Sequence, residues 1–151
     1  MRLTTLCYIE KDGAWLMLHR TKKQNDQSHD KWLGIGGKLE DRESPQECML
    51  REVKEETGLT LTGYQFRGIV TFVSDLWETE YMFLFTASQF EGTLSECLEG
   101  ELQWVPIEEV FYLNLWEGDR LFLERLAGNS CFFALKVEYQ GDRLTGWKFE
   151  S

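Results

Sequence analysis

The sequence is poor in proline and cysteine, which account for two and four of its 151 residues. The cysteines, at positions 7, 48, 97 and 131, are too far apart to form the Cys-x-x-Cys pairs of zinc or thioredoxin-like redox sites. We interpret them as free thiols in a reducing cytoplasm. Cys7 and Cys131 fall in strand-like segments, where we expect small buried side chains.

Long apolar runs are also absent. The chain has no stretch of the roughly 18 apolar residues that a transmembrane helix needs. Glu10, Lys11 and Asp12 interrupt the N-terminal segment, which lacks the apolar core and cleavage site of a signal peptide. The sequence therefore predicts a cytoplasmic protein with no membrane partner.

Basic side chains are outnumbered, with 16 Lys and Arg against 26 Asp and Glu and a net charge of −10. Such a surface repels DNA and RNA, so we expect no nucleic acid polymer as a partner. A small anionic substrate would need a metal ion or a local basic patch to bridge the two negative parties. The length predicts one domain spanning residues 1–151 and leaves monomer and homodimer open.

The predicted elements alternate irregularly between strand and helix. Strand-like segments occupy about residues 3–9, 14–20, 59–63, 65–74, 80–87, 101–105, 131–139 and 144–149. A helix is predicted over 45–57, with Ser44 as N-cap, Glu47 completing a capping box and Gly58 after the last turn. A short helical turn follows Pro106, and a second main helix covers about 118–127. The pattern indicates a mixed α/β class with two main helices packed on a sheet.

The first helix carries three carboxylates on one stripe. Glu52, Glu55 and Glu56 follow the i, i+3, i+4 spacing that places side chains on the same face. Carboxylates are the hard oxygen ligands that Mg²⁺ and Mn²⁺ prefer, and a backbone carbonyl at Gly36 or Gly37 can add another. Taken alone, the stripe is equally typical of a solvated acidic surface.

A longer pattern surrounds this stripe and favours a metal site over a solvated acidic surface. It runs from Gly37 over five residues to Glu43, then over seven residues to the segment Arg51-Glu52-Val53-Lys54-Glu55-Glu56-Thr57-Gly58-Leu59. This arrangement resembles the Nudix box at every fixed position. The resemblance implies a Nudix α/β/α sandwich with a mixed sheet. It also implies hydrolysis of a nucleoside diphosphate linked to another moiety.

The resemblance also implies roles for the residues of the box. Glu52 and Glu56 would bind Mg²⁺, or Mn²⁺, assisted by Glu55 and by the carbonyl of Gly36 or Gly37. Arg51 would orient the carboxylates through an ion pair, chiefly with Glu43, and Gly58 would let the chain turn back.

A water molecule that attacks a phosphate needs a proton acceptor, and a carboxylate without a basic neighbour suits that task. The candidates are Glu55 and Glu99. Glu99 lies in a loop before a predicted strand, where Nudix relatives often place a further acidic ligand, and its alternative is a plain loop glutamate. His19 and His29 have no triad partners in the sequence and are interpreted as structural.

Four further segments resemble the MutT-type 8-oxo-dGTP diphosphatases within this family. They are WLGIGGK (32–38), WVP (104–106), WEGD (116–119) and FFALKVEYQGDRL (132–144). The resemblance implies that Trp116 stacks on a purine and that Asp119 hydrogen-bonds its edge. The alternatives are a core tryptophan and an acidic residue at a helix N-terminus.

Two positions depart from the mammalian members of that subgroup, which have Asn where Leu33 stands and Asp where Gly118 stands. Leu33 cannot form a side-chain hydrogen bond, so base recognition is the least determined feature, and Asn25 or Asn114 are weak substitutes. The further substrate-binding candidates are Leu33 and Lys38 in the Gly-rich segment and Phe72 and Phe83 on neighbouring strands. The two phenylalanines have core packing as their alternative.

The sequence therefore predicts an Mg²⁺-dependent nucleoside triphosphate pyrophosphohydrolase. Its leading substrate is 8-oxo-dGTP, cleaved to the monophosphate and pyrophosphate to clean the nucleotide pool before DNA synthesis. Alternative substrates are ADP-ribose, a dinucleoside polyphosphate or an undamaged dNTP. A Nudix-fold protein that only binds a nucleotide and regulates another process is the non-enzymatic alternative.

Overall fold

The structure is a computed structural model that describes residues 1–22 and 26–150. Within these residues the strands are β1 (Arg2–Lys11), β2 (Ala14–His19), β3 (Trp32–Leu33), β4 (Thr60–Ser74), β5 (Glu80–Glu91), β6 (Glu101–Pro106), β7 (Phe133–Gln140) and β8 (Arg143–Glu150). The helices are α1 (Pro45–Thr57), α2 (Ile107–Val110) and α3 (Asp119–Ala127). No helix in the described part of the chain is long and apolar enough to cross a bilayer.

The strands form one mixed sheet in the order β3-β2-β1-β5-β4-β7-β8, with β6 paired to β2. The pairs β1–β5 and β4–β7 are parallel, whereas the other neighbouring pairs are antiparallel. The Gly-rich segment before α1 covers part of the remaining edge of β1 through bridges from Thr4 to Lys38 and from Cys7 to Ile35. This contact brings the segment between the centre of the sheet and α1.

Helices cover both faces of the sheet. Side chains alternate along β1, so that Leu6 and Tyr8 join the core under α3 while Cys7 and Ile9 join the core under α1. The first core includes Phe122, Leu123 and Leu126 of α3, and the second includes Met49 and Val53 of α1. Because both faces of β1 are buried, its sequence is almost continuously apolar from residue 6 to 9. The predicted α/β/α sandwich with two main helices is confirmed.

Local signals fix the ends of α1. The Ser44 hydroxyl accepts the Glu47 N–H at 3.1 Å, and the Glu47 carboxylate accepts the Ser44 N–H at 2.9 Å. Gly58 has φ of 82°, which is strained for residues with a side chain, and its N–H donates to the Lys54 carbonyl. The capping box and the predicted bounds 45–57 are therefore confirmed.

Several predicted strands differ in detail. The two predicted strands 59–63 and 65–74 are a single strand, β4, because β-bulges near Gly63 and Gly68 bend the chain without ending its pairing. β1 and β2 pair with each other only beside the turn that joins them, since most of β1 pairs with β5 and all of β2 pairs with β6. Cys131 precedes β7 and is exposed, so its predicted burial in a strand is wrong.

Candidate active site

A cleft of about 340 Å³ runs between the start of β1, the Gly-rich segment, α1 and the N-terminus of α3. The predicted site residues that line it are Leu33, Gly36, Gly37, Lys38, Glu52, Glu56, Phe72, Glu99, Trp116 and Asp119. Unpredicted lining residues include Thr4, Arg20, Gln27, Ser28, Glu80 and Met82. The cleft thus joins the acidic stripe of α1 to the aromatic residues near α3.

Glu52 and Glu56 present their carboxylates to the cleft from consecutive turns of α1. Glu56 is buried, and its Oε2 has no hydrogen-bond partner among the described residues. Burial is the main cause that raises the pKa of Glu56 to about 9, with Glu99 and Glu52 adding to it. Burial also raises the pKa of Glu52, against the opposing effect of Arg51. Arg20, on the cleft wall, opposes the shift at Glu56 without cancelling it.

The two glycines before α1 allow the close approach of the chain to these carboxylates. A Cβ at Gly37 would overlap the Glu52 carboxylate, and a Cβ at Gly36 would overlap the backbone carbonyl of Thr5. The Gly37 carbonyl already accepts the Thr5 N–H at 2.9 Å. Gly37 therefore lies directly against the Glu52 carboxylate and Gly36 directly against β1, with no side chain between them.

Arg51 organises the outer side of the stripe. Its guanidinium donates to both oxygens of Glu43, at 2.6 and 2.9 Å, and to Glu52 at 2.7 Å. It also reaches the Lys38 carbonyl at 3.2 Å, which ties the Gly-rich segment to α1. The hydrogen bonds from Arg51 lower the pKa of Glu43 to about 2. This bidentate geometry is the one that a guanidinium and a carboxylate adopt when they fix orientation as well as charge.

The two proposed proton acceptors both have basic neighbours, so the expectation of an acceptor without one is wrong. Glu55 lies 3.2 Å from Arg51, is more than half exposed, and does not line the cleft. Glu99 does line the cleft, and its carboxylate accepts from Arg20 at 3.1 Å. Arg20 also donates to Asp26 at 2.7 Å. Sequence reasoning missed Arg20 because a single basic residue at the end of a strand carries no recognisable signal.

The acidic residues are not arranged as a closed ligand set. Among the described residues, no group of three or more His, Cys, Asp or Glu side chains is positioned to hold a metal ion as it stands. The oxygen-only donors, the unpartnered Glu56 oxygen and the close backbone of Gly36 and Gly37 nevertheless suit a hard divalent cation. The residues present therefore fit such an ion chemically.

Trp116 lies at the other end of the cleft and is buried. Its indole N–H donates to the Ser28 hydroxyl at 3.0 Å, and the Lys31 ammonium lies 4.9 Å from its ring centroid. Phe72 packs edge-on against it, with 5.3 Å between ring centroids. The ring therefore belongs to the core under α3 and also forms part of the cleft wall.

Asp119 is the first residue of α3, and its carboxyl group is buried in the same wall. No hydrogen bond to its side chain is found among the described residues. Burial is the main cause that raises the pKa of Asp119 to about 8, with Lys31 lowering it and Glu80 raising it. The preceding residue, Gly118, has no room for a side chain, because a Cβ there would lie 2.8 Å from the Tyr139 hydroxyl.

Two weaker candidates, Phe83 and Asn114, lie elsewhere. Phe83 does not line the cleft but packs near Phe66 on the α1 side of the sheet, so its assignment to the pocket is wrong. Its neighbour Met82 points the other way, as alternation along β5 requires, and occupies the cleft wall instead. Asn114 donates to the Asp30 carbonyl outside the cleft, and Asn25 lies outside the described residues.

His19 has a structural environment. Its ring stacks on Trp32 with 4.4 Å between centroids, and its Nε2 lies 2.9 Å from the Asp30 carboxylate. Neither contact involves the cleft carboxylates, in agreement with the structural interpretation of this histidine.

Comparison with known proteins gives a consistent family. A sequence profile described as the NUDIX domain matches residues 2–126. The chain is 31% identical over 142 residues to the oxidized purine nucleoside triphosphate hydrolase of Danio rerio, covering 93% of this chain and 88% of that protein. It is 28% identical over 135 residues to the CTP pyrophosphohydrolase of Escherichia coli, covering 89% and 93%.

Among solved structures, the MutT protein from Bacillus halodurans superimposes with a TM-score of 0.88 at 25% sequence identity, covering 99% of this chain and 98% of that one. The matched profile spans the acidic helix and most of the sheet. The chain therefore belongs to the Nudix family and is a Nudix hydrolase that acts on small nucleotide derivatives.

Proposed function

We propose that this Nudix hydrolase is an Mg²⁺-dependent pyrophosphohydrolase of nucleoside triphosphates, with an oxidised purine such as 8-oxo-dGTP as its leading substrate. One observation carries the proposal: a single cleft joins the carboxylates of Glu52 and Glu56 to the aromatic wall formed by Trp116 and Phe72. A nucleotide has the same polarity, with an anionic phosphate chain at one end and a flat base at the other.

Glu52, Glu56 and Glu99 are the proposed side-chain ligands, with the Gly36 carbonyl as the preferred backbone oxygen. Glu55, which is more exposed and does not line the cleft, remains a further proposed ligand from the same stripe of α1. A divalent ion held by these residues would neutralise charge on the phosphate chain and lower the pKa of a bound water molecule. Mn²⁺, with similar ligand preferences, is the alternative ion.

The chain's own residues then position the phosphates and accept the proton. Arg20 and Lys38 are cationic groups on the cleft wall and are proposed to contact phosphate oxygens. Of the two proposed proton acceptors, Glu99 is better placed because it lines the cleft. Trp116 is proposed to face the base, and Asp119 to hydrogen-bond its edge, at the buried end of the cleft.

Pyrophosphate release from 8-oxo-dGTP, dGTP and dCTP with Mg²⁺ tests this function. ADP-ribose and a dinucleoside tetraphosphate, which release no pyrophosphate when hydrolysed, are followed by chromatography of their nucleotide products. We expect kcat/KM to favour 8-oxo-dGTP over dGTP by about a hundredfold, equivalent to roughly 2.7 kcal/mol. Equal values for all triphosphates would replace the proposal with a general dNTP hydrolase. Turnover of ADP-ribose or the tetraphosphate alone would overturn the assignment to triphosphates.

A further inference from the structure

Glu80 is a buried acidic residue on the cleft wall that has no place in the phosphate chemistry. It is the first residue of β5 and is only 9% exposed. Its register partners are Arg2 on β1 and Phe72 on β4, so it lies beside the aromatic wall of the cleft. A charged side chain is seldom buried unless it is paired, so the partners of Glu80 indicate what holds it in the cleft wall.

The partners of Glu80 hold the carboxylate in one orientation. Thr4 Oγ1 donates to Oε2 at 2.7 Å, and Gln27 Nε2 donates to Oε1 at 3.4 Å. The Arg2 guanidinium lies 3.7 Å from Oε1. In both hydrogen bonds a carboxylate oxygen of Glu80 is the acceptor. A carboxylate has about four lone-pair positions, so capacity remains for donors that enter the cleft.

Asp119 borders the same end of the cleft from the opposite element, the N-terminus of α3. It is 7% exposed, and its carboxyl group has no hydrogen-bond partner within residues 1–22 and 26–150. Phe72 is the register neighbour of Glu80, and the Phe72 ring meets Trp116 edge-on. Two carboxyl groups therefore border the region where a base would lie against the aromatic wall.

We infer that Glu80 is a second base-reading residue, one that selects a purine whose edge carries adjacent ring N–H and amino donors, as guanine's does. The inference rests on the proposed function, since it assigns a specificity to the same cleft. An acceptor-only group fixed by Thr4 and Gln27 favours bases that donate and leaves no partner for bases that present acceptors. This role requires no hydrogen-bonding side chain at positions 33 and 118, where Leu33 and Gly118 depart from the mammalian pattern.

A purely structural role for Glu80 would consist of its contacts with Thr4, Gln27 and Arg2, of which only the ion pair with Arg2 has a counterpart elsewhere. Glu78 provides the matched control, because it approaches the same guanidinium at 4.0 Å but is half exposed and does not line the cleft. Replacing Glu78 by Gln removes one of the carboxylates near Arg2 and leaves the lining of the cleft unchanged. Replacing Glu80 by Gln keeps the size of the side chain while exchanging one acceptor for a donor.

The experiment compares dGTP with dITP, which lacks only the 2-amino group, in the wild type, Glu80→Gln and Glu78→Gln. We expect the wild type and Glu78→Gln to favour dGTP by about tenfold in kcat/KM, because a site built to accept a donor rejects the analogue without it. Glu80→Gln should bring the ratio close to one, mainly through KM. Thermal unfolding shows whether each variant is folded. If Glu80→Gln does not fold, Thr4→Val takes its place: it removes the hydrogen bond that orients the Glu80 carboxylate and should lower the ratio of kcat/KM for dGTP to that for dITP.

The outcomes separate this inference from the proposed function. If the wild type hydrolyses no purine triphosphate, the proposed function fails and the inference fails with it. If it hydrolyses 8-oxo-dGTP but does not distinguish dGTP from dITP, or if a folded Glu80→Gln keeps the wild-type ratio, the inference alone is overturned. A reduced ratio in Glu78→Gln would assign the effect to Arg2 and also overturn it.

Discussion

Replacement of Asp119 by Asn should change how stability depends on pH. Burial raises the pKa of Asp119 from 3.8 to about 8 in the folded protein. The folded state therefore binds a proton that the unfolded state has released between these two values. The stabilisation from the neutral group is complete below pH 3.8 and is lost as pH rises through about 8.

The magnitude follows from the width of that window. Each pH unit within it lowers the free energy of unfolding by about 1.4 kcal/mol through this group, so pH 5 to 8 accounts for roughly 4 kcal/mol. Asn imitates the neutral carboxyl group and does not titrate. The free energy of unfolding of Asp119→Asn, relative to that of the wild type, should therefore rise by about that amount between pH 5 and pH 8.

Urea unfolding at pH 5, 6, 7 and 8 measures this difference, because the contributions of all other groups cancel between the two proteins. Asp142→Asn is the control, since Asp142 is exposed in the turn between β7 and β8 and should give a constant difference. A constant difference for Asp119→Asn as well would refute the reasoning. It would mean that Asp119 is ionised and well solvated in the folded protein.

Three further predictions concern the acidic helix and the cleft wall. Arg51→Lys should lower the free energy of unfolding by about 2–4 kcal/mol in urea and reduce kcat, since an ammonium cannot reproduce the two bonds to Glu43. Ser44→Ala should cost about 1 kcal/mol in the same assay through loss of the cap, with kcat unchanged. Phe72→Leu should raise KM for the nucleotide, whereas Phe83→Leu, which alters the opposite face of the sheet, should not; equal effects on KM would contradict the assignment of the cleft wall.

The acidic helix was predictable because its signals are local. The cap at Ser44, the glycine after the last turn and the spacing of Glu52 and Glu56 all lie within one segment, so the helix and its acidic face follow from the sequence. The ion pair between Arg51 and Glu43 is also a short-range contact, and the resemblance implied it.

The base end of the cleft was less predictable because it is assembled from distant parts of the chain. Glu80 meets Thr4 across 76 residues, and Trp116 meets Ser28 across 88. Phe83 was misassigned because the face it occupies depends on the β4–β5 register. That register pairs Phe72 with Glu80, and alternation along β5 then places Phe83 on the opposite face of the sheet from Glu80. The bulges that bend β4 likewise arise from sheet pairing and have no clear local signal.

The central claim is that carboxylates of α1 hold the divalent ion on which hydrolysis depends. Its most direct test is kcat for pyrophosphate release at saturating Mg²⁺ in Glu56→Gln, compared with the wild type and with Glu124→Gln, an exposed residue of α3. Gln keeps the size and shape of the buried Glu56 side chain, so the variant should leave thermal unfolding intact. The account predicts that Glu56→Gln loses about a thousandfold in kcat while Glu124→Gln matches the wild type; near-normal turnover by Glu56→Gln would contradict it.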